Sequence, residues 1–224
     1  MTLLTNGLIV QLAKEDQNRL QHICKPVQLL AGQTLCSPTQ QETPKVYFLT
    51  GACVALLVES ASHNTLAVGL VGSEGAIGLG SVLDIGSENL QFRVQTTGDA
   101  WMAESADLAL LLHQRPGMLW AISQYLWVLA THVATMATSI QFEDITTRLA
   151  RWLLLSADRA QTRHLHLTHQ HLAQMLGVRR VSITLSAGEL KERGLIDYQR
   201  GALDILDMTS LCQTAERGQY VTQV

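Results

Sequence analysis

The residues from Met118 to Phe142 form a 25-residue stretch that contains no Asp, Glu, Lys or Arg, bounded by Pro116-Gly117 and Glu143. Its large apolar residues recur at alternating spacings of three and four, which is an unbroken heptad pattern. This stripe consists of Leu119, Ile122, Leu126, Leu129, Val133, Met136 and Ile140. The pattern predicts one long helix that buries a single stripe.

Three environments could hold such a helix. It is long enough to span a membrane, but a lipid-facing helix has no need to confine its large apolar residues to one stripe. A helix buried within one subunit is a second alternative. The heptad spacing favours a third, a dimerisation helix over residues 116–142 in water. The additional apolar residues would then pack against the chain's own domain, namely Trp120, Tyr125, Trp127 and Val128. We expect no membrane association.

Short apolar runs separated by glycines fill the chain from Val27 to Ser105, after a short amphipathic helix predicted over 11–24. Runs of this length with glycine at turn spacing are typical of an antiparallel sandwich or barrel. The glycine-rich segment GSEGAIGLG has neither the order of a dinucleotide-binding fingerprint nor the Lys-Ser/Thr ending of a phosphate loop.

Charge and cysteine usage narrow the class of protein. The net charge is −3, which argues against a general nucleic-acid coat protein. Residues 163–200, however, carry six basic and three acidic side chains and four of the eight histidines, so positive charge is local. Cys24, Cys36, Cys53 and Cys212 show no metal-ligand spacing, and the N-terminus lacks a secretory signal, so we expect a cytoplasmic protein without a bound metal.

A helix-turn-helix pattern lies in the sequence LTHQHLAQMLGVRRVSITLS. The motif needs a small residue where its helices touch, a turn residue that tolerates a left-handed backbone, and a branched apolar residue in the second helix. Ala173, Gly177 and Ile183 have these properties at the required offsets, and Thr168 is a candidate N-cap. The second helix is predicted over 179–193.

Base contacts are expected from the N-terminal end of that second helix, since this end enters the major groove. A hairpin follows, with strands predicted at Leu195–Tyr198 and Leu203–Leu206 around Arg200-Gly201, and this is a wing whose tip can reach a phosphate. The expected DNA-contacting residues are Thr168, His169, Gln170, Arg179, Arg180, Val181, Ser182, Thr184, Leu185 and Arg200.

Four histidines, His164, His166, His169 and His171, crowd the entrance to the motif. Alternate histidines on an extended segment could bind a metal, but no Cys or carboxylate completes a ligand set in the sequence. Plain solvated histidines are a second interpretation. A third places His169 and His171 near a DNA phosphate, where binding would strengthen as pH falls through about 6.5.

The C-terminal segments RLARWLLLSADR, LTHQHLAQMLGVRRVSITLSAGELKERGLI and RGALDILD resemble the winged-helix domain of Crp/Fnr transcriptional regulators. VYFLTGACVALL and VGLVGSEGAIGLG are similar to that family's cyclic-nucleotide-binding-type β-roll. The resemblance implies an α+β fold: a β-roll sensor domain over 1–115, a dimerisation helix over 116–142, and a winged helix-turn-helix DNA-binding domain over 143–224. It also implies a homodimer that binds an inverted repeat in double-stranded DNA, and RNA polymerase as a further partner.

The resemblance leaves the effector unknown, or allows none. Leu79 stands where cyclic-nucleotide-binding members have a ribose-binding Glu, and Gln91-Phe92 stands near their phosphate-binding Arg, which argues against cyclic AMP. The cysteines do not match those of the iron-sulfur members. A haem would have to use the remaining histidines, His22, His63, His113 and His132.

Two further interpretations of the chain compete with a regulator. No catalytic triad, carboxylate pair or metal motif occurs at motif spacing, so an enzyme is not predicted. A winged helix that binds protein and no longer binds DNA remains the alternative.

Overall fold

The computed structural model describes residues 2–35, 43–59, 65–83, 90–199 and 201–216. Two short helices come first, α1 (Gly7–Val10) and α2 (Lys14–Ile23). The amphipathic helix predicted over 11–24 is therefore confirmed as α2. Glu15 and Asp16 lie in its first turn, where carboxylates interact favourably with the helix dipole.

The predicted antiparallel β architecture follows, built as two four-stranded sheets. The strands are β1 (Lys25–Leu29), β2 (Thr34–Leu35), β3 (Lys45–Leu49), β4 (Cys53–Glu59), β5 (Thr65–Val71), β6 (Ala76–Ile77), β7 (Leu90–Thr96) and β8 (Gly98–Glu104). One sheet has the order β1-β8-β3-β6 and the other β2-β7-β4-β5. Leu49, Val54 and Val94 are fully buried members of the core between them.

Two helices join the sheets to the rest of the chain, α3 (Ser105–Gln114) and α4 (Pro116–Phe142). The long predicted helix is thus confirmed, and Pro116 at its start has the fixed φ that suits the first turn. Within the described ranges, no helix combines the length and hydropathy that crossing a bilayer requires.

The predicted heptad stripe of α4 lies largely against its own protomer. Ile122 and Met136 are buried in two different cores of the same chain, and Leu126 and Leu129 pack against neighbouring core residues. Val133 lies near Gly69 of β5, and Ile140 is half-buried. Leu119 is the one exposed member of the stripe. The predicted seam is therefore mostly occupied by intramolecular packing.

A different line of α4 is exposed, displaced by one residue from the predicted stripe. It also follows the spacing of three and four, and its members are Trp120, Ser123, Trp127, Ala130, Ala134, Ala137 and Gln141. Tyr125 packs on the chain's own domain as predicted, and its hydroxyl donates a hydrogen bond to the Ala76 carbonyl at 2.9 Å. Trp120, Trp127 and Val128 were assigned to the same side, but 68%, 76% and 40% of their surfaces are exposed. The structure corrects that assignment, because the sheets cover the other side of α4.

The C-terminal part is a winged helix-turn-helix. Its elements are α5 (Ile145–Ala160), β9 (His164–Leu165), α6 (His169–Leu176), α7 (Arg180–Glu192), β10 (Ile196–Gln199), β11 (Ala202–Ile205) and α8 (Met208–Glu216). The Asp144 carboxylate caps α5 by accepting a hydrogen bond from the Thr147 N–H at 2.8 Å. The fully buried Trp152 of α5 lies in a core that also contains Ala55 and Leu57 of β4, so the winged helix packs directly on the second sheet.

Candidate nucleic-acid interface

The turn between α6 and α7 has the predicted geometry. Thr168 caps α6, since its side chain accepts a hydrogen bond from the His171 N–H at 3.0 Å. Gly177 ends α6 in the left-handed conformation, with φ of 62°. Ala173 and Ile183 are buried where the two helices meet. The sequence therefore fixes this turn through residues that tolerate close packing and positive φ.

Helix α7 has one buried and one exposed face. Ile183, Ser186, Ala187 and Leu190 are buried. Arg179, Arg180, Val181, Thr184 and Leu185 are exposed, and Ser182 is half-buried. The predicted helix limits, 179–193, differ from the observed ones by a single residue at each end. The exposed face combines two guanidinium groups with two branched apolar side chains.

The wing and the start of α6 lie beside this face. The ring of His169 stacks on Tyr198 of β10, with 4.2 Å between ring centroids, and its Nδ1 lies 3.0 Å from Thr184 Oγ1 of α7. A Cβ placed on Gly201 would lie 3.5 Å from the side chain of Thr168. Gln170 is exposed in the first turn of α6. The predicted DNA-contacting residues of α6 and α7 are thus brought together beside the wing, and Arg200 lies outside the described residues.

The wing is broader than the sequence predicts. Its hairpin pairs Ile196 with Ile205 and Gln199 with Ala202, so each strand differs by one residue from the predicted limits. The short β9, which the sequence analysis missed, pairs with β11 as a third strand. Its two residues carry too little pattern to be recognised. Gly201 at the tip has φ of 89°, a conformation that glycine adopts without strain.

The four histidines have separate environments. His164 Nδ1 lies 2.6 Å from Asp204 Oδ1, and the His166 ring meets the His164 ring edge-on. The His169 ring stacks on Tyr198, whereas His171 is half-buried near Arg93 of β7. In the described part of the chain, no group of three or more potential metal ligands forms.

The surroundings of His169 and His171 determine their protonation in the chain without DNA. Burial lowers the pKa of His169 below its ordinary value, and the charge of Arg180 lowers it further. Burial also lowers the pKa of His171, with Arg93 adding to the effect. The Nε2 atoms of both rings are buried without a hydrogen-bond partner. Both rings are therefore neutral near pH 7, and in this arrangement protonation is opposed by burial and a neighbouring arginine.

The positions compared with the nucleotide-binding pattern lie in the β-sheet part of the chain. Leu79 is buried in a short 3₁₀ turn over Leu79–Leu83. Arg93 lies close enough to His171 of α6 to lower the pKa of that residue. Burial raises the pKa of the Cys24 and Cys53 thiols to about 12, which keeps both protonated. Cys24 and Cys53 belong to different cores, and Cys36 and His63 lie outside the described residues.

Contacts between α6 and the second sheet escaped the sequence analysis. A Cβ on Gly177 would lie 2.9 Å from Leu66 Cδ1 of β5. Farther from the turn, the Gln95 side chain of β7 donates a hydrogen bond to Ser156 Oγ of α5 at 3.0 Å. These partners are separated by 61 residues or more and follow no periodic pattern, so no sequence signal identifies them.

Comparison with known proteins agrees with this geometry. Residues 147–214 match the family model of a Crp-like helix-turn-helix domain. No curated protein sequence matches the chain. Among solved structures, a transcriptional regulator of the Crp/Fnr family from Eubacterium rectale superposes with a TM-score of 0.74 at 14% identity, over 95% of this chain and 99% of the other.

Two further structures are similar. The c-di-GMP-responsive global regulator CLP of Xanthomonas campestris gives a TM-score of 0.70 at 18% identity, over 87% of this chain and all of that chain (100%). A Crp/Fnr-family regulator from Thermus thermophilus gives 0.68 at 20% identity, over 86% of this chain and 98% of its own. At these identities the likeness establishes the fold, and the matched domain model identifies the helix-turn-helix type.

Proposed function

Because the chain carries a Crp-like helix-turn-helix domain within the fold of Crp/Fnr-type transcriptional regulators, we propose that it is a homodimeric regulator that reads an inverted-repeat operator through α7. The main observation that supports this proposal is the exposed face of α7. Arg179, Arg180, Val181, Thr184 and Leu185 project from a helix whose opposite face is anchored in the core. A helix supported in this way can enter the major groove without unfolding its own domain.

The side chains on this face indicate how bases would be read. Arg180 lies in the first turn of α7, and an arginine there can make a bidentate contact with guanine. Val181 and Leu185 are 68% and 70% exposed. Branched apolar side chains at a groove-facing position can contact the C5-methyl group of thymine. We expect each half-site to combine a guanine with thymines.

The dimer forms, in this proposal, along the exposed line of α4 from Trp120 to Gln141. The line keeps a heptad spacing, so two copies of α4 can pack along its whole length. Its C-terminal half contains Ala130, Ala134 and Ala137, and small residues allow two helix backbones to approach closely. Trp120 and Trp127 would each bury a large apolar surface on the two-fold partner.

The dimer experiment uses Ala134→Glu, with Ala106→Glu on the exposed surface of α3 as the matched control. Ala134 is exposed in the single chain, so the substitution leaves the protomer's core intact. In a dimer it would place two like charges against each other in a buried seam. Sedimentation should show a folded monomer for Ala134→Glu and a dimer for Ala106→Glu. A dimer of unchanged strength in both variants would refute the seam.

The DNA experiment is selection of bound fragments from random duplexes. We expect an inverted repeat with half-site centres about one helical turn, roughly 34–36 Å, apart. Arg180→Ala should cost about 1–3 kcal/mol, or about fivefold to 150-fold in affinity, and relax one base position per half-site. Arg19→Ala on the exposed surface of α2 removes the same charge far from α7 and should have little effect. Equal losses on operator and random DNA for Arg180→Ala would assign that residue to phosphate contact.

The roll is proposed to act without cyclic AMP. Leu79 is apolar and buried where nucleotide-binding relatives use a carboxylate, so it cannot accept hydrogen bonds from a ribose. Calorimetric titration with cyclic AMP should give no binding heat. A saturable heat at one molecule per protomer would overturn this part of the proposal.

A protein-binding winged helix is the second candidate, favoured by the exposure of Val181 and Leu185. Two neighbouring apolar side chains on one helix face also suit a protein partner. The selection experiment separates the candidates, because a protein-binding module would enrich no operator. In that case the arginine pair would carry no sequence preference.

A further inference from the structure

A cavity of about 330 Å³ lies at the junction of the second sheet, the long helix and the winged-helix domain. Volumes of this size are within the range of small-molecule sites in proteins. Its walls come from β5 (Gly69, Leu70), α4 (Leu129, His132, Thr135, Met136), α5 (Arg151, Leu154, Leu155, Asp158, Arg159) and α8 (Cys212, Ala215, Glu216). The cavity is separate from Leu79 and Gln91-Phe92, the positions aligned with the nucleotide cassette.

The apolar part of the wall comes from all four elements. Leu70, Leu129 and Leu155 face the same space from the sheet, α4 and α5. A mainly apolar molecule would therefore replace water against several walls at once. Its contacts would join the roll to the DNA-binding domain.

The two arginines of the wall already have partners. Arg151 donates to Glu143, with 2.5 Å between Nη2 and Oε1, and to the Ala215 carbonyl at 2.8 Å. Arg159 donates to Asp158 at 2.8 Å, and its Nε lies 3.1 Å from Glu74. An anionic ligand would thus find no unpaired guanidinium group. The wall also contains two carboxylates, Asp158 and Glu216, so its four charged groups balance and give neither an anion nor a cation a net attraction. The charges select an uncharged ligand.

His132 is the polar group available to such a ligand. Its ring lines the cavity and, among the described residues, makes no hydrogen bond. Burial lowers its pKa below the ordinary value, and Arg159 lowers it further while Glu74 opposes the change. A neutral imidazole offers one donor and one acceptor, which suits a hydroxyl or carbonyl group.

We infer that this junction is a binding site for a small, uncharged, mainly apolar molecule with one hydroxyl or carbonyl oxygen placed against His132. Such a ligand touches β5, α4, α5 and α8 together, so it stabilises one placement of the winged helix relative to the roll. The inference requires no DNA and stands apart from the proposed operator recognition.

The test uses 2-naphthol and naphthalene as probes of the full chain, with binding of 2-naphthol measured by calorimetry and that of naphthalene by competition. Thr135→Phe and Leu155→Trp fill the cavity from opposite walls. Leu110→Trp, on the exposed surface of α3, is the matched control. We expect one 2-naphthol per chain, at least tenfold weaker binding in both filled variants, and unchanged binding in the control. If one filled variant does not fold, the other carries the comparison.

Two further measurements locate the probe. His132→Leu should remove the preference for 2-naphthol over naphthalene while naphthalene still binds. Saturating 2-naphthol should also slow alkylation of Cys212, a cavity-lining thiol, by N-ethylmaleimide at least threefold, as read from peptide masses. The inference is overturned by an absence of saturable binding, by full binding in a folded filled variant, by an unchanged preference in His132→Leu, or by an unprotected Cys212.

Discussion

The packing of the helix-turn-helix on the roll can be tested by adding one methyl group, as a Gly→Ala substitution, where α6 meets β5. Gly177 and Gly194 both have left-handed backbones, with φ of 62° and 71°. An alanine in that conformation costs roughly 1–2 kcal/mol. A Cβ at Gly194 would meet nothing within 4 Å, whereas one at Gly177 would lie 2.9 Å from Leu66 Cδ1. Gly194→Ala thus isolates the backbone cost, and Gly177→Ala adds the contact with β5.

The expected magnitudes follow from these contacts. Gly194→Ala should lower the free energy of unfolding by about 1–2 kcal/mol. Gly177→Ala should lose about 1 kcal/mol more, the low end for overpacking, because the obstructing atom is the end of a flexible side chain. In a Leu66→Ala background that extra loss should vanish, since the obstructing methyl is gone. The coupling between the two sites is therefore about 1 kcal/mol.

Urea unfolding at one fixed protein concentration, followed by circular dichroism, measures all of these variants together. Fixed concentration matters because dimer formation would contribute to apparent stability. If Gly177→Ala cost no more than Gly194→Ala, or if Leu66→Ala left the difference unchanged, α6 would not rest on β5 as described. The packing of the DNA-binding domain on the roll would then have to be revised.

Three other changes test the remaining features. Replacing Glu143 with Ala should cost about 3–5 kcal/mol in urea unfolding, because it leaves the Arg151 guanidinium partly buried without its carboxylate. The pKa values of His169 and His171 are lowered in the folded state, so the free energy of unfolding is highest above about pH 6.5 and decreases as the pH falls below it. Urea unfolding at several pH values between about 7.5 and 5.5 should show this decrease. Replacing both histidines with Gln should make the free energy of unfolding less dependent on pH. Replacing one operator thymine by deoxyuridine removes its C5-methyl group and should weaken DNA binding by about 0.8 kcal/mol, roughly fourfold in affinity. In Leu185→Ala, the thymine and deoxyuridine operators should bind equally well at one position per half-site.

Local features of the candidate interface could be predicted from the sequence. The helix-turn-helix needs residues of particular size and backbone freedom at fixed positions within a short segment. Their spacing alone therefore predicts the two helices and the turn, with Ala173, Gly177 and Ile183 at these positions. The hairpin around Gly201 is predictable for the same reason, because its tight turn needs a positive φ that glycine adopts without strain. The limits of α4 followed from Pro116 and from the end of the charge-free stretch.

Contacts between distant segments could not be predicted in this way. In the sequence His171 is one of four histidines at the entrance to the motif, but in the structure it is half-buried near Arg93 of β7. The position of β7 beside α6 depends on how the second sheet and the winged helix meet. The effect on the pKa of His171 therefore arises from tertiary packing, which a histidine count cannot reveal.

The heptad of α4 shows the same limit most clearly, because periodicity identifies residues that share a face without identifying what covers that face. Leu129 lies in the predicted stripe, but in the structure it lines the junction cavity and packs on the roll of its own chain. An Asp at this position would therefore destabilise the protomer itself, and loss of dimer would not reveal where the seam lies. Ala134, on the exposed line, separates the two effects, since a charge there meets solvent in the monomer and its own symmetry mate in the dimer. A stable, monomeric Ala134→Glu protein and a Leu129→Asp protein with a lowered free energy of unfolding are the pair of results that this packing predicts.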